Sequence, residues 1–360
     1  VRVIVSGGGT GGHVYPALAV ARKIEPSSIC YVGSRRGVEE EIVTREGIPF
    51  SAISAGGIRG LAPWTIAKNL LKLAKGFFQS LRIVRRFSPD VIFVTGGYVC
   101  VPVALAGRLC NVPILVYLPD IVPGLAVRFL SLLANRIAVT VEESARFFHQ
   151  SKVVVTGYPV REEFFEVDKA TSRRAFSLEE GLKTVAIFGG SHGARSINLA
   201  ISSVLDELLE VCQVIHICGR SDFGWVMERR EGLPKRLKSR YIICSYLHEG
   251  IAKALKAADL IVSRAGAATL GEFPALGVPS ILVPYPYAGR HQDANADYLV
   301  ERGAAVKIED NELEERLLPT ISRLLKEEHL GRMGERMRAL ARREAAKQIY
   351  KELELLGRIA

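Results

Sequence analysis

Short apolar runs recur along the whole chain, each opening into glycine or polar turn residues and then into a stretch of helical spacing. In the first half they cover Val1–Val5, Ser28–Val32, Val91–Thr95, Ile114–Leu118, Arg136–Val139 and Val153–Thr156, with helical stretches at Pro16–Ile24, Arg36–Glu46 and Trp64–Phe87 between them. The second half repeats the scheme with Thr184–Phe188, Val214–Cys218, Tyr241–Cys244, Leu260–Val262 and Ser280–Val283. Apolar runs alternating with helices predict parallel sheets with helices on both faces. From Asn311, read as an N-cap, the chain is expected to run as charged amphipathic helix to its end.

Two of the turns share one design. The first follows Val3–Val5 as Ser6-Gly7-Gly8-Gly9-Thr10-Gly11-Gly12-His13, and the second follows Val185–Phe188 as Gly189-Gly190-Ser191-His192-Gly193-Ala194. Glycines there let the backbone approach a ligand, and the helix N-terminus behind them attracts negative charge. A matched pair predicts an α/β fold of two Rossmann-like domains facing across a cleft, with a phosphate-bearing substrate between them. A length of 360 residues, 48% of them hydrophobic, also exceeds one ordinary core. The turn-rich Gly157–Arg161 marks the boundary. The expected domains are 1–157 and 158–330, with 331–360 as a helix reaching back to the first domain.

Charge is uneven. Of the net +10, residues 1–160 carry 18 Lys and Arg against 9 Asp and Glu, so the basic excess belongs to the first half. That bias points to an anionic partner or surface on that side. The six cysteines form no CxxC pair and no zinc spacing, and read as buried thiols in a reducing compartment. The first strand opens the chain at once, so no signal peptide is expected, and no uncharged run reaches membrane-spanning length.

The first turn fits a dinucleotide fingerprint, but such a site also needs an acid at the end of strand 2, and that strand ends in Gly33-Ser34. Hydride chemistry is therefore disfavoured. No GxxxxGK[ST] and no DxD-like pair occur, which leaves helix N-termini, hydroxyls and cations to hold a diphosphate without metal or cofactor. The richest stretch is Ser263-Arg264-Ala265-Gly266-Ala267-Ala268-Thr269-Leu270-Gly271-Glu272. Thr269 and the amides of Ala267–Leu270 suit a phosphate. Glu272 suits two ribose hydroxyls, or else is a helix N-terminal acid favoured by the macrodipole. The loop His291-Gln292-Asp293-Ala294-Asn295 brings amide side chains suited to sugar hydroxyls.

In this order, GGGTGGHVYPALAVA, TGGYVCVPVALA, GYPVR, FGGSHGARSIN, SRAGAATLGE and HQDANA resemble glycosyltransferase family 28, from residue 3 to about residue 305. The similarity is to the members that move N-acetylglucosamine from UDP-GlcNAc to lipid I, making lipid II for peptidoglycan. It implies a GT-B fold, inverting metal-independent transfer, and peripheral attachment at the cytoplasmic face of the bacterial membrane. It also implies donor contacts at Thr10, Gly11, Gly12, Arg161, Ser191, Ala267, Ala268, Thr269, Leu270, Gly271, Glu272 and Gln292, with His248 meeting the uracil through its backbone. Asn198 and Asn295 match the family's polar positions near the cleft, Asn295 among the donor-binding residues. Where the family reads HEQNAVPG, this chain has Tyr117-Leu118-Pro119-Asp120-Ile121-Val122-Pro123-Gly124; His192 replaces a Gln and Tyr158 an Asn. A lineage variant of the same enzyme is the preferred explanation. A different lipid acceptor, or an epimerase or sugar-nucleotide-binding protein of the same fold, is the alternative.

Inverting transfer needs a base. His13, in the first helix turn, is kept neutral by the helix N-terminus, and serves either as that base or as a cap. Asp120, also at a donor position, is the second candidate. Gly96-Gly97-Tyr98, at another strand end, is expected to receive the acceptor's diphosphate. Arg161 and Arg264 are cations for the donor side, although Arg264 reads equally as a structural partner.

From Gly47 to Pro89 there is no acid, yet Arg59, Lys68, Lys72, Lys75, Arg82, Arg85 and Arg86 all occur. On a helix from Trp64, Lys68, Lys72 and Lys75 share one stripe with Trp64, Leu71 and Phe78 beside it, while Leu70, Leu73, Phe77 and Val84 are expected in the core. Such a face suits an anionic membrane surface. The aromatics form no stacking platform, so nucleic acid is not expected.

Overall fold

Each apolar run becomes a strand, buried on both sides except at the edges Val153–Val155 and Tyr241–Cys244, which are partly exposed. A computed structural model describes the chain apart from residues 58–61, 191–192, 248–249, 288–290, 327 and 360. It divides into two units, Val1–Val160 with Arg342–Ala360, and Arg161–Ala341.

In the first unit β1 (Val3–Ser6), β2 (Ile29–Ser34), β3 (Phe50–Ile53), β4 (Val91–Val94), β5 (Ile114–Leu118), β6 (Arg136–Val139) and β7 (Val153–Val155) pair in parallel in the order β3-β2-β1-β4-β5-β6-β7. Its helices include α1 (Gly11–Ala21), α2 (Val38–Arg45), α3 (Pro63–Phe87), α4 (Cys100–Leu109) and α5 (Leu125–Leu133). Alternate residues of one strand face opposite layers. Val3, Val5, Val91 and Phe93 pack with α1, α2 and the last helix, Ala345–Ile359. Ile4, Ile92 and Val94 pack with α3, α4 and α5. Ile349 and Leu353 of the last helix are fully buried in this core, contributing about 1.5–3 kcal/mol each.

The second unit repeats the topology. β8 (Thr184–Phe188), β9 (Gln213–Ile217), β10 (Tyr241–Cys244), β11 (Leu260–Ser263), β12 (Ser280–Leu282) and β13 (Ala305–Lys307) run in parallel in the order β10-β9-β8-β11-β12-β13. In both units the strand order reverses beside the first strand, between β1 and β4 and between β8 and β11. Ligands of open parallel sheets bind outside the strand ends at such a reversal, and both glycine-rich turns stand there.

Four local expectations are corrected. Strands β3 and β13 escape the sequence pattern because the edge segments Phe-Ser-Ala-Ile and Ala-Val-Lys are only partly buried and lack the continuous apolar signal that the edge strand Val153–Val155 keeps. Helix α1 starts at Gly11, five residues before Pro16, which it carries inside. The tail is not one helix: Glu309 and Glu312 form a capping box ahead of helix Leu313–Lys326, and His329–Ala339 and Ala345–Ile359 follow. Leu70 is 52% exposed, because α3 packs through the smaller Asn69, Gly76 and Ser80 instead. A methyl on Gly76 would stand 2.1 Å from the Ser54 carbonyl oxygen, so only glycine admits this close approach.

Candidate functional site

The first turn is built by mutual contact between glycines. The Gly8 amide donates to the Gly96 carbonyl at 3.2 Å, which ties the end of β1 to the end of β4. A Cβ on Gly97 would come within 2.4 Å of the Gly8 carbonyl oxygen, and Gly97 has φ +90°. Thr95 Oγ1 donates to the His13 carbonyl at 2.7 Å. His13 Nδ1 lies 3.2 Å from Thr10 Oγ1, and its ring stands over Gly96, where a Cβ would meet Cδ2 at 2.8 Å and Nε2 at 2.9 Å. His13 and the Gly96-Gly97 pair therefore form one site, with Thr10, Gly11 and Gly12 at its rim. The Tyr98 ring turns to the chain before α3, packing on Gly57.

Asp120 follows β5, the strand next to β4. Its approach is tied to the end of β6: the single Thr140 hydroxyl hydrogen is shared between the carbonyls of Leu118 and Pro119, 3.0 and 2.9 Å from Oγ1. Of the four departures from HEQN, Tyr117, Leu118 and Pro119 are buried core, and only Asp120 is half-exposed. Tyr117 stacks edge to face on the buried Tyr158, with ring centroids 6.5 Å apart.

In the second unit Gly190 and Gly193 take φ +83° and +77°, and a Cβ on Gly193 would meet the Cys218 carbonyl oxygen at 2.6 Å. Ser191, between them, and His248 lie outside the described residues, as do His192 and Arg59. Behind the turn, helix Arg195–Ser203 carries the buried Asn198, whose Nδ2 donates to the Cys218 carbonyl and to Asp222 at 2.8 Å each. Its Oδ1 lies 2.9 Å from His216 Nε2, and burial pushes that imidazole down to about 3. The neutral ring thus donates from Nε2 and accepts from the Tyr241 hydroxyl at Nδ1, 2.6 Å away. Asn198 is part of the frame.

The stretch after β11 differs from the expected single helix. Ala267–Leu270 form a 3₁₀ turn, Gly271 breaks it, and a five-residue helix Glu272–Leu276 follows. Thr269 commits both its amide and its hydroxyl hydrogen to the Gly266 carbonyl, at 2.9 and 2.8 Å. Glu272 is buried. Desolvation raises its carboxyl to about 7, against the pull of Arg161 and with the push of Glu163. Arg161 pairs with Glu163 at 3.0 Å and lies over the Phe164 ring. Arg264 proves structural: its guanidinium donates to Asp310 at 2.5 Å and to Ser196 Oγ at 2.6 Å. Asn295 Nδ2 donates to the Ala265 carbonyl at 3.0 Å, and Gln292 Oε1 accepts from the Tyr285 amide at 2.9 Å. Gln292 thereby presents its NH₂ group as the hydrogen-bonding end left for a ligand.

Sequence reasoning passed over Glu39. It is fully buried on α2 and accepts from the Gly9 amide at 3.3 Å and the Ser34 amide at 2.8 Å, as well as from Ser34 Oγ. Only the buried Val43 one helical turn on marks its face from that of Glu40 and Glu41.

On α3, Trp64, Leu71 and Phe78 are 76%, 73% and 69% exposed, and Lys68, Lys72 and Lys75 stand exposed on the same helix. An apolar groove of about 820 Å³ runs between α3 and α4, lined by Leu73, Phe77, Phe78, Val101, Leu105 and Leu109, with Arg108 at its edge. No described helix is long and apolar enough to cross a membrane.

Residues 3–139 match the glycosyltransferase family 28 N-terminal domain, and residues 184–352 match the family's C-terminal domain. A protein of Roseiflexus sp. (strain RS-1), named UDP-N-acetylglucosamine–N-acetylmuramyl-(pentapeptide) pyrophosphoryl-undecaprenol N-acetylglucosamine transferase, is 43% identical over 99% of this chain and 95% of its own. A protein of the same name from Desulforamulus reducens is 40% identical over 98% of both. Among solved structures, Acinetobacter baumannii MurG superposes with a TM-score of 0.75 at 27% identity, covering 98% of this chain and 99% of that one.

Proposed function

The chain belongs to glycosyltransferase family 28, and we propose that it transfers N-acetylglucosamine from UDP-GlcNAc to the muramyl 4-hydroxyl of undecaprenyl-diphosphate-linked lipid I, giving lipid II. The observation that carries this reading is the match, over 99% of the chain, to a transferase whose name states that donor group and that acceptor. The reaction inverts the anomeric carbon and needs no metal: the acceptor oxygen bonds to C1, the C1–O bond to the β-phosphate breaks, and UDP leaves with both electrons.

Each step has a residue suited to it. Glu272, ionised, accepts the two ribose hydroxyls, while Arg161 lies close enough to counter that charge and the charge of the diphosphate. Gln292 donates to a hydroxyl of the transferred sugar. His13 takes the acceptor's proton: with Nδ1–H donated to Thr10, the basic lone pair sits on Nε2, over Gly96. Gly96 and Gly97 give the acceptor's diphosphate a surface without side chains. Asp120, at the next strand end, is the second candidate base. Ser191, His248, Thr10 to Gly12 and Ala267 to Gly271 complete the donor contacts by their place in the family's motifs, Thr269 by exchanging its hydroxyl bond to Gly266 for one to the donor.

The acceptor is lipid-linked, so the enzyme works as a peripheral protein at the cytoplasmic face of the membrane. The support is local to the first unit: three large exposed apolar side chains and a lysine stripe on α3, and the apolar groove between α3 and α4. The test of the whole reading is product analysis with labelled UDP-GlcNAc and a lipid I analogue, beside a control without acceptor. A labelled lipid-linked disaccharide is expected. Label released only to water, or none released, overturns the reading.

A further inference from the structure

We propose that Glu39 is a positioning residue that sets where the His13 imidazole stands. This rests on His13 serving as the base. The carboxylate lies beneath the first glycine-rich turn, with no exposed surface, and accepts from Gly9 N–H, Ser34 N–H and Ser34 Oγ–H. Its position fixes Gly8, since a methyl there would stand 2.5 Å from Glu39 Oε1. Gly8 is closed from the other side by Gly97, whose added Cβ would meet the Gly8 carbonyl oxygen at 2.4 Å, and it donates its amide to Gly96. Gly96 in turn is the floor under His13. Carboxylate, Gly8, Gly96 and imidazole thus form one stack in which each layer touches the next without a side chain to absorb a shift.

The arrangement also sets this turn apart from a dinucleotide site. An acid does reach the end of β2, but it arrives from α2 and bonds Ser34 there. It faces the turn and takes up the Gly9 amide, so neither group is presented to a ribose or a phosphate.

Glu39→Gln preserves size but places an NH₂ group where the carboxylate accepts, and so loosens the base of the stack. Turnover is expected to fall about 10- to 100-fold, the scale of a small misplacement of a reacting group. KM for UDP-GlcNAc and UDP affinity change less than turnover, because Glu272 and Gln292, the groups suited to the ribose and the transferred sugar, lie in the second unit. The ring-nitrogen resonances of His13 shift in the labelled variant. Ser34→Ala, which removes one donor and leaves the carboxylate, changes both readouts in the same direction by less, and decides the matter should Glu39→Gln fail to fold. Unchanged His13 resonances with turnover within about threefold of wild type overturn the proposal. The resonances need no substrate, so a wild-type protein that transfers no sugar rejects the functional reading, while unshifted resonances in Glu39→Gln reject the placement of the ring by Glu39.

Discussion

Tyr117 and Tyr158 stand edge to face in the core of the first unit, 6.5 Å between ring centroids, and each occupies a position where the family's motif carries a smaller polar residue. The two departures are therefore one structural event. The Tyr117 hydroxyl bonds Thr140 at 2.7 Å and lies 3.3 Å from the Gly157 carbonyl, so the pair also holds the chain where it leaves the first unit. Either Tyr117→His or Tyr158→Asn alone leaves the other ring without its partner, at a cost of about 2–4 kcal/mol. Made together they are expected to cost less than the sum by about 1 kcal/mol, read from urea unfolding of the four proteins. Strict additivity would show that the rings are merely neighbours.

Glu272 ties donor binding to pH. Its folded carboxyl titrates at about 7, so near neutrality much of the free protein holds a proton there, and accepting two ribose hydroxyls requires its loss. UDP affinity is expected to rise with pH through 7 and then level, with protons released on binding. The fold responds with opposite sign: a carboxyl raised by burial contributes stability below its ordinary value that is lost as pH rises through 7. Glu272→Gln flattens the binding profile and weakens UDP by about 1–3 kcal/mol. Calorimetry in buffers of differing ionisation heat reads both; a pH-independent wild-type affinity removes Glu272 from the ribose.

His13→Ala is expected to lower turnover about 100-fold or more while leaving UDP affinity within about twofold. Near-normal turnover in that variant, together with loss of activity in Asp120→Asn, moves the base to Asp120. The bell of the pH–rate profile is the second check, since its acid limb disappears only with the true base.

Membrane attachment combines two forces with different salt responses. Changing Lys68, Lys72 and Lys75 to Glu is expected to abolish co-sedimentation with anionic vesicles and to leave UDP binding intact. In the wild type the charge contribution fades as the screening length shortens to about 3 Å at 1 M salt. The part due to Trp64, Leu71 and Phe78 persists, and changing all three to Ser removes it. Retention of the lysine variant on vesicles would place the membrane face elsewhere in the first unit.

Much of this molecule is legible from its strands, because a strand buried on both faces has to be a continuous apolar run. β3 and β13 are not legible for the same reason: an edge strand needs only half a signal. Glycines announce both turns, but what holds a turn from beneath is a lone acid in a helix with two other acids beside it, and spacing does not single out Glu39. Likewise nothing in a string of letters separates Arg264, locked to Asp310, from Arg161, whose neighbour is the carboxylate most suited to a donor. Polar residues are assigned by their partners, and partners arrive through the fold.

The last helix, Ala345–Ile359, belongs to the first unit although the whole second unit is threaded between it and β7. During synthesis residues 1–160 leave the ribosome with one face of their sheet short of one helix of its covering layer, and wait about two hundred residues for it, some ten to forty seconds at common elongation rates. The second unit, contiguous in sequence, can finish first. The half of the protein made first is thus the half completed last, and a nascent chain arrested before residue 345 would expose the parts of α1, β4 and β5 that the last helix covers to chaperones and proteases while its second half is already sound.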